Sequence, residues 1–225
     1  MKIAVLGTGT VGRTLAARFA ALGHEVVVGT RDVTATMGRM EPEAGGAPAF
    51  GVWLDSHPEI RLVEYADASA QADVIVNATN GAASLAALAQ AGADNLAGKV
   101  LMDVSNPLDF SRGMPPTLFV KDTDSLGEQI QRAFPRTKVV KTLNTMTVAV
   151  QAQPDQLGAG HTVFVSGDDA PAKALVTKLL TSLEHSDVID LGDITTSRGV
   201  EMYLPLWLRL WGALGTPIFN IKVVR

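Results

Sequence analysis

The stretch from Ile3 to Gly12 constrains the fold of this chain more than any other. An apolar run, Ile3-Ala4-Val5-Leu6, passes directly into Gly7-Thr8-Gly9-Thr10-Val11-Gly12. Behind it Leu15, Ala16, Phe19, Ala20 and Leu22 recur at helical spacing, and Gly23 stands where a helix end favours glycine. Glu25 to Val28 is β-branched enough for a second strand. Strand, glycine loop, helix and strand predict a βαβ unit with a right-handed crossover. In such a loop the first glycine permits the tight turn, the second lets a pyrophosphate reach the backbone, and the third brings helix against strand. The phosphates sit at the helix N-terminus, where free N–H groups and the helix dipole favour negative charge. Gly7, Thr8, Gly9, Thr10, Val11 and Gly12 are therefore candidate dinucleotide contacts.

The second strand runs into Gly29-Thr30-Arg31-Asp32. An NAD-selective site places a carboxylate there, about 20 residues past the glycines, to accept from the ribose 2′-OH. Thr30 occupies that place. A hydroxyl can donate to a 2′-phosphate, and Arg31 can grip it with a planar fork. The reading is NADP(H) over NAD(H), with Asp32 as the competing acidic group if the strand ends later.

The remaining chain keeps alternating. "IRLVEY", "DVIVNAT", "KVLMDVS", "TKVVKTLN", "TVFVSG" and "DVIDLG" read as further strands, with helical "SLAALAQAG", "SLGEQIQRAF" and "APAKALVTKLLTSLE" among them. This predicts a Rossmann-type, doubly wound α/β fold with a mostly parallel sheet. Residues 1–150 form the NADP-binding core, and 151–225 a small C-terminal α/β extension without a linker to make it independent. The segment from Val33 to Pro58, with "EPEAGGAP", reads as a short helix plus a mobile loop beside the adenosine site.

Composition narrows the partners. Of 225 residues 47% are hydrophobic and 19% charged, as in a compact globular chain. A net charge of −4 gives no general attraction to nucleic acid or anionic membrane. The chain has no cysteine, so disulfides and thiol nucleophiles are excluded, which fits a cytoplasmic protein. No leader is expected before the first strand, no membrane span, since Pro205 and Arg209 break "MYLPLWLRLWGALG", and no metal site.

Ligands of open α/β sheets bind outside the carboxyl ends of the strands. Polar clusters stand there at "NATNG" (77–81), "DVSNPLD" (103–109) and "TLNTMT" (142–147). Asn77, Thr79, Asn80 and Gly81 are candidates for ribose and phosphate, and Ser105, Asn106 and Pro107 for the nicotinamide. Asn144 and Thr145 would face the second reactant. Asn144, Ser105 and Asn106 are the candidate catalytic positions, in a positioning role. The alternative is that these residues are ordinary turn formers.

"AVLGTGTVGRTLA", "GHEVVVGTRD", "DVSNP", "VVKTLNTM" and "VFVSGDD" resemble the dinucleotide-binding enzymes related to NADPH:coenzyme F-420 oxidoreductase. The similarity spans almost the whole chain. It implies a Rossmann fold, a homodimer, and hydride passed between NADP(H) and a 5-deazaflavin. It further implies Thr8, Thr10 and Val11 at the pyrophosphate, Thr30 and Arg31 at the 2′-phosphate, and Asn144 to Met146 on the deazaflavin side. Relatives include reductase domains that use flavin to reduce metal ions. The long loop after Arg31 and "MPPTLFVKDTDS" depart from the shorter oxidoreductases.

Hydride transfer needs two rings held at about 3–3.5 Å and water kept out, a task for asparagines, hydroxyls and backbone N–H groups. His24, His57, His161 and His185 offer no clear proton donor. Lys141, inside a strand, is a minor phosphate or flavin contact. Leu204, Trp207, Leu208, Trp211 and Leu214 lie close to helical spacing, as in a packed helix that also serves a dimer or roofs the site. Arg198 and Glu201 are either an i,i+3 pair or point at the acceptor. The second reactant is a small redox molecule, coenzyme F-420 or else a flavin, quinone or carbonyl. A non-enzymatic NADP(H) sensor would fill the space over the nicotinamide, with Met146 and Trp211 as the residues to do it.

Overall fold

A computed structural model describes residues 1–42 and 46–225. The opening run is strand β1 (Lys2–Leu6), followed by helix α1 (Thr10–Ala21) and strand β2 (Glu25–Thr30). Next come α2 (Val33–Met37), α3 (Phe50–Asp55), β3 (Arg61–Glu64), α4 (Tyr65–Gln71), β4 (Val74–Asn77), α5 (Gly81–Ala91), α6 (Ala93–Leu96) and β5 (Val100–Asp103). A short hairpin, β6 (Leu108–Asp109) and β7 (Thr117–Leu118), precedes α7 (Leu126–Ala133) and β8 (Lys138–Thr142). The chain continues through α8 (Val148–Ala152), β9 (Thr162–Ser166), α9 (Ala170–Ser182), β10 (Asp187–Asp190), α10 (Ser197–Met202) and α11 (Leu204–Leu214).

The main sheet has the order β10-β9-β8-β5-β4-β1-β2-β3. All neighbours are parallel except β8 and β9, where Thr142 faces Val165. The winding reverses at β1, whose neighbours are β2 and β4, and the crevice between the ends of β1 and β4 is where such sheets bind ligands. Leu6 lies opposite both Gly29 and Asn77, so the glycine loop and the "NATNG" cluster open side by side.

Alternation along the strands builds a core on each face. Ile3 and Val5 pack with Leu15 and Phe19 of α1, Val150 of α8, and Val176 and Leu180 of α9. Ala4 and Leu6 pack on the other face with Ala68 of α4, Leu88 of α5 and Ile130 of α7. Each fully buried aliphatic side chain contributes about 1.5–3 kcal/mol before chain entropy is counted.

The expected strands all form, with two shifts. Tyr65, read as strand, begins α4, and the β6–β7 hairpin was invisible because two-residue strands carry no periodicity. Of the segment 33–58, α2 and α3 are helical, while part of the expected mobile loop, residues 43–45, lies outside the described residues. His185, between α9 and β10, is 1% exposed.

His185 Nε2 donates to the Gln151 carbonyl at 3.0 Å, leaving Nδ1 to accept from His161 Nε2 at 3.0 Å. These bonds satisfy both rings in their neutral forms. Burial accordingly pushes the His185 pKa down to about 4. The unfolded chain takes up that proton near its ordinary value of 6.5 and the folded chain does not. Stability is therefore complete above pH 6.5 and falls by about 2–3 kcal/mol as pH drops toward 4. Urea unfolding at neutral and acid pH should show this loss, and His185→Gln, which can keep the bond to Gln151, should lack that share of it.

Candidate functional site

The glycine loop holds its three glycines for different reasons. Gly7 has φ +122°, and a β-carbon there would lie 2.6 Å from the Ala78 carbonyl oxygen. A β-carbon on Gly12 would run into the Gly7 carbonyl, so this residue lets α1 close on β1. Above Gly9 nothing lies within 4 Å. Gly9 also begins α1 without a side-chain cap, which leaves the first turn of that helix free to bind an anion.

A cleft of about 650 Å³ opens beside this loop. Gly7, Thr8 and Gly9 form one wall, Thr30, Arg31, Asp32, Thr36, Arg39 and Tyr65 the far end, and Thr79 with Asn80 the other wall. Asp32 lines the cleft and also caps α2, one carboxylate oxygen accepting from the Ala35 N–H at 2.8 Å. Thr30 and Thr36 share a hydroxyl bond of 2.7 Å, and Arg39 Nη2 donates to Thr36 at 3.2 Å. Burial raises the Tyr65 pKa, while Arg31 and Arg39 oppose that rise. Among the described residues, the far end carries two guanidiniums and one carboxylate, the capping Asp32. Sequence reasoning missed Arg39, Thr36 and Tyr65; a second arginine eight residues after Arg31 was the available signal.

A second cleft of about 240 Å³ adjoins the first and shares Ala78, Thr79 and Asn80 with it. Val11, Gly81, Ser105, Asn106, Leu108 and Phe110 complete it. A β-carbon on Gly81 would collide with the Asn106 carbonyl, so only glycine lets the start of α5 seat against this loop. Phe110, from the hairpin, is half-exposed at the rim.

Behind the clefts lies a polar brace. Lys141 has no exposed surface, and its ammonium donates to Asp103 Oδ2 at 2.8 Å, Glu201 Oε1 at 2.9 Å and the Ser105 carbonyl at 2.7 Å. Burial alone would lower the Lys141 pKa, but the two facing carboxylates hold it above its ordinary value. Asp103 Oδ1 accepts from Asn77 Nδ2 at 2.9 Å and the Ser105 hydroxyl at 2.7 Å. Glu201 also accepts from the N–H groups of Leu126 at 2.8 Å and Gly127 at 3.0 Å, at the start of α7. Those bonds and the dipole of α7 offset the second carboxylate.

This geometry revises several expectations. Asn77 is fully buried and lines neither cleft; its Oδ1 accepts from the Thr79 hydroxyl at 2.7 Å and so orients the residue that does. Asn144 is 2% exposed, donating to Asn106 Oδ1 at 3.1 Å and the Val200 carbonyl at 3.0 Å, and Thr145 is buried beside it. Neither faces a second reactant. Pro107 is buried, with its carbonyl accepting from Phe119 N–H, and Thr10 is exposed but outside both cleft linings. Lys141 is fully buried, its ammonium engaged by Asp103, Glu201 and the Ser105 carbonyl, and it lines neither cleft. Arg198 and Glu201 do not pair: Arg198 binds Glu128 at 2.5 Å. Thr8, Gly9, Val11, Thr30, Arg31, Thr79, Asn80, Gly81, Ser105 and Asn106 do come together along the two clefts. Met146 packs in the core with Val150 and Val163, and Trp211 lies on the outer helix, so neither fills the space by Ser105.

A family profile described as "NADP oxidoreductase coenzyme F420-dependent" matches residues 2–107, from β1 to the loop after β5. A solved structure, a provisionally assigned F420-dependent NADP reductase from Arthrobacter sp. FB24, matches all of both chains at 63% identity and TM-score 0.96. The chain belongs to the coenzyme F420-dependent NADP oxidoreductase family. To the F420-dependent NADP reductase of Methanocaldococcus jannaschii this family member is 28% identical over 212 residues, 93% of this chain and 92% of that protein. To the rat metalloreductase STEAP3 it is 30% identical over 211 residues, but it spans only 38% of that protein's length.

Removing the ammonium from the brace while leaving both carboxylates should be severe. Lys141→Met is expected to lower unfolding free energy by about 3–5 kcal/mol, the range for breaking a buried ion pair. Chemical denaturation measures it, and a loss below about 1 kcal/mol would show that the brace does not hold the fold.

Proposed function

We propose that this protein is an NADPH-dependent oxidoreductase that passes hydride between NADP(H) and coenzyme F420. One observation carries the reading: two clefts meet at Thr79 and Asn80, one ending in Arg31 and Arg39, the other open beside Ser105 and Asn106. The first, at about 650 Å³, has the terminal charge for an adenosine 2′-phosphate. The second has room for a nicotinamide and an open side against which another ring can stack.

NADPH, when bound, supplies a hydride from its nicotinamide, and a deazaflavin accepts it at the central ring carbon with a proton from solvent. The chain's own part is geometric. Gly9 and the first turn of α1 hold the pyrophosphate, and Thr30 with Arg31 and Arg39 holds the 2′-phosphate. Thr79, Asn80, Ser105 and Asn106 orient the nicotinamide, and Val11, Leu108 and Phe110 keep water from the reacting carbons. Ser105 and Asn106 are positioned through the Lys141 brace and the mutual amide bonds with Asn144. A carbonyl acceptor would need a proton donor, and among the described residues no titratable side chain lines the second cleft.

The reading includes a homodimer in the cytoplasm, the compartment that holds NADPH, with residues 151–225 as an extension of the core. Among the described residues no helix is long and apolar enough to cross a membrane. On α11, Leu204 and Trp207 face inward, whereas Leu206 and Leu214 are 55% and 56% exposed and form an apolar stripe with Leu210. That stripe supports contact with a second copy.

Anaerobic mixing of the protein with NADPH should give rapid turnover with F420 and slow or none with FMN, FAD or a quinone. Equal rates with all four would reject the deazaflavin assignment. Arg31→Ala and Arg39→Ala should each weaken NADPH binding about tenfold to a hundredfold and leave NADH nearly unchanged, since each removes a charge-assisted bond. Equal losses for both nucleotides in a titration would show that neither arginine reads the 2′-phosphate.

A further inference from the structure

The β6–β7 hairpin, whose second strand lies within "MPPTLFVKDTDS", has a second side. Leu108 on β6 lies directly opposite Leu118 on β7, so their side chains share one face of the hairpin. Leu108 lines the cleft with Ser105 and Asn106, and Leu118 lines a separate groove of about 360 Å³ between the hairpin and α11. One leucine of this cross-strand pair thus lines each space.

The groove has an apolar floor, Pro115, Leu118, Met202 and Leu208, with Lys121 on one flank and Arg209 on the other. Both cations are exposed, and among the described residues neither is hydrogen-bonded or ion-paired. The carboxylates nearby are largely occupied: Asp124 is held by Arg132 at 2.8 Å and 2.9 Å, and Asp109 by the Ser111 N–H at 2.9 Å. Asp122 alone flanks Lys121 without a side-chain partner. Two cations over apolar walls match a ligand that is both extended and anionic. The Leu206–Leu214 stripe of α11 points away from this groove, because helix positions 205, 208 and 209 lie on a different face.

We propose that the groove between the β6–β7 hairpin and α11 is a distal subsite for the redox acceptor, with Lys121 and Arg209 binding its phosphate- and carboxylate-bearing arm. This rests on the deazaflavin reading, because coenzyme F420 carries such an arm and the bare deazaflavin nucleoside does not. A ring by Ser105 would send its arm past Leu108 and Leu118 into the groove.

The test compares F420 with the bare nucleoside at saturating NADPH, for wild type and the Lys121→Ala/Arg209→Ala double variant. The double variant should raise KM for F420 about tenfold or more, with kcat, KM for the nucleoside and NADPH binding unchanged. Added salt should raise the wild-type KM for F420 and leave the double variant's nearly flat. An unchanged KM for F420, an equal rise for both acceptors, or a shift in oligomeric state alone would overturn the subsite while leaving the deazaflavin reading intact. Should wild type reduce neither acceptor, the functional reading falls, and the groove is judged by titration with 8-anilinonaphthalene-1-sulfonate, an aromatic anion. Weaker dye binding to the double variant, by about tenfold, then supports an anion groove, and equal binding overturns it.

Discussion

The Lys141 ammonium, buried between Asp103 and Glu201, ties together parts of the chain that are far apart in sequence. Taking three charges out of water costs several kcal/mol per ion, so such a cluster persists only where every remaining hydrogen bond is made. Here Asn77, Ser105 and two backbone N–H groups of α7 complete it. Its members sit at the ends of β4, β5 and β8 and on α10. The loop that lines the second cleft is therefore fixed from behind by charge, not by packing alone. The C-terminal segment contributes Glu201 to the same knot and is part of the site's foundation.

In front of the brace, steric contacts determine where a nucleotide can lie. Gly7 abuts Ala78, Gly12 abuts Gly7, and Gly81 abuts Asn106, so the loops after β1, β4 and β5 are packed backbone to backbone. Above Gly9, by contrast, no atom of the described residues comes within 4 Å of a β-carbon's place. The phosphate position proposed above rests on where a side chain is impossible and where it is merely absent. Asp32 adds a further constraint, because by capping α2 it fixes the helix that carries Thr36 and leads to Arg39.

The fold was legible because its signals are local and repeated: Ile3 to Gly12 announces the βαβ unit, and short apolar runs mark the other strands. The grouping of Thr8, Gly9, Thr30 and Arg31 along one cleft was legible for the same reason, since they stand at fixed offsets from the glycines. Side-chain direction was not. Asn77, Asn144 and Lys141 occupy strand ends where polar residues suggest ligand contact, yet each turns inward to partners 26 to 56 residues away. Their pairing depends on tertiary register, which no local pattern encodes. Arg39, Tyr65 and Phe110 were missed because α2, α4 and the hairpin that position them are too short for periodicity to reveal.

The central claim is that the nicotinamide and the acceptor ring meet directly in the space beside Ser105 and Asn106. Its most direct measurement is isotopic: NADPH stereospecifically deuterated at C4 is mixed anaerobically with F420, and the reduced deazaflavin is examined by mass spectrometry and NMR. Direct stacking predicts that deuterium from one C4 face alone arrives at the central ring carbon without exchange with solvent. Deuterium lost to water, or taken from both faces, would contradict a shared cleft and point to electrons passing through a separate carrier.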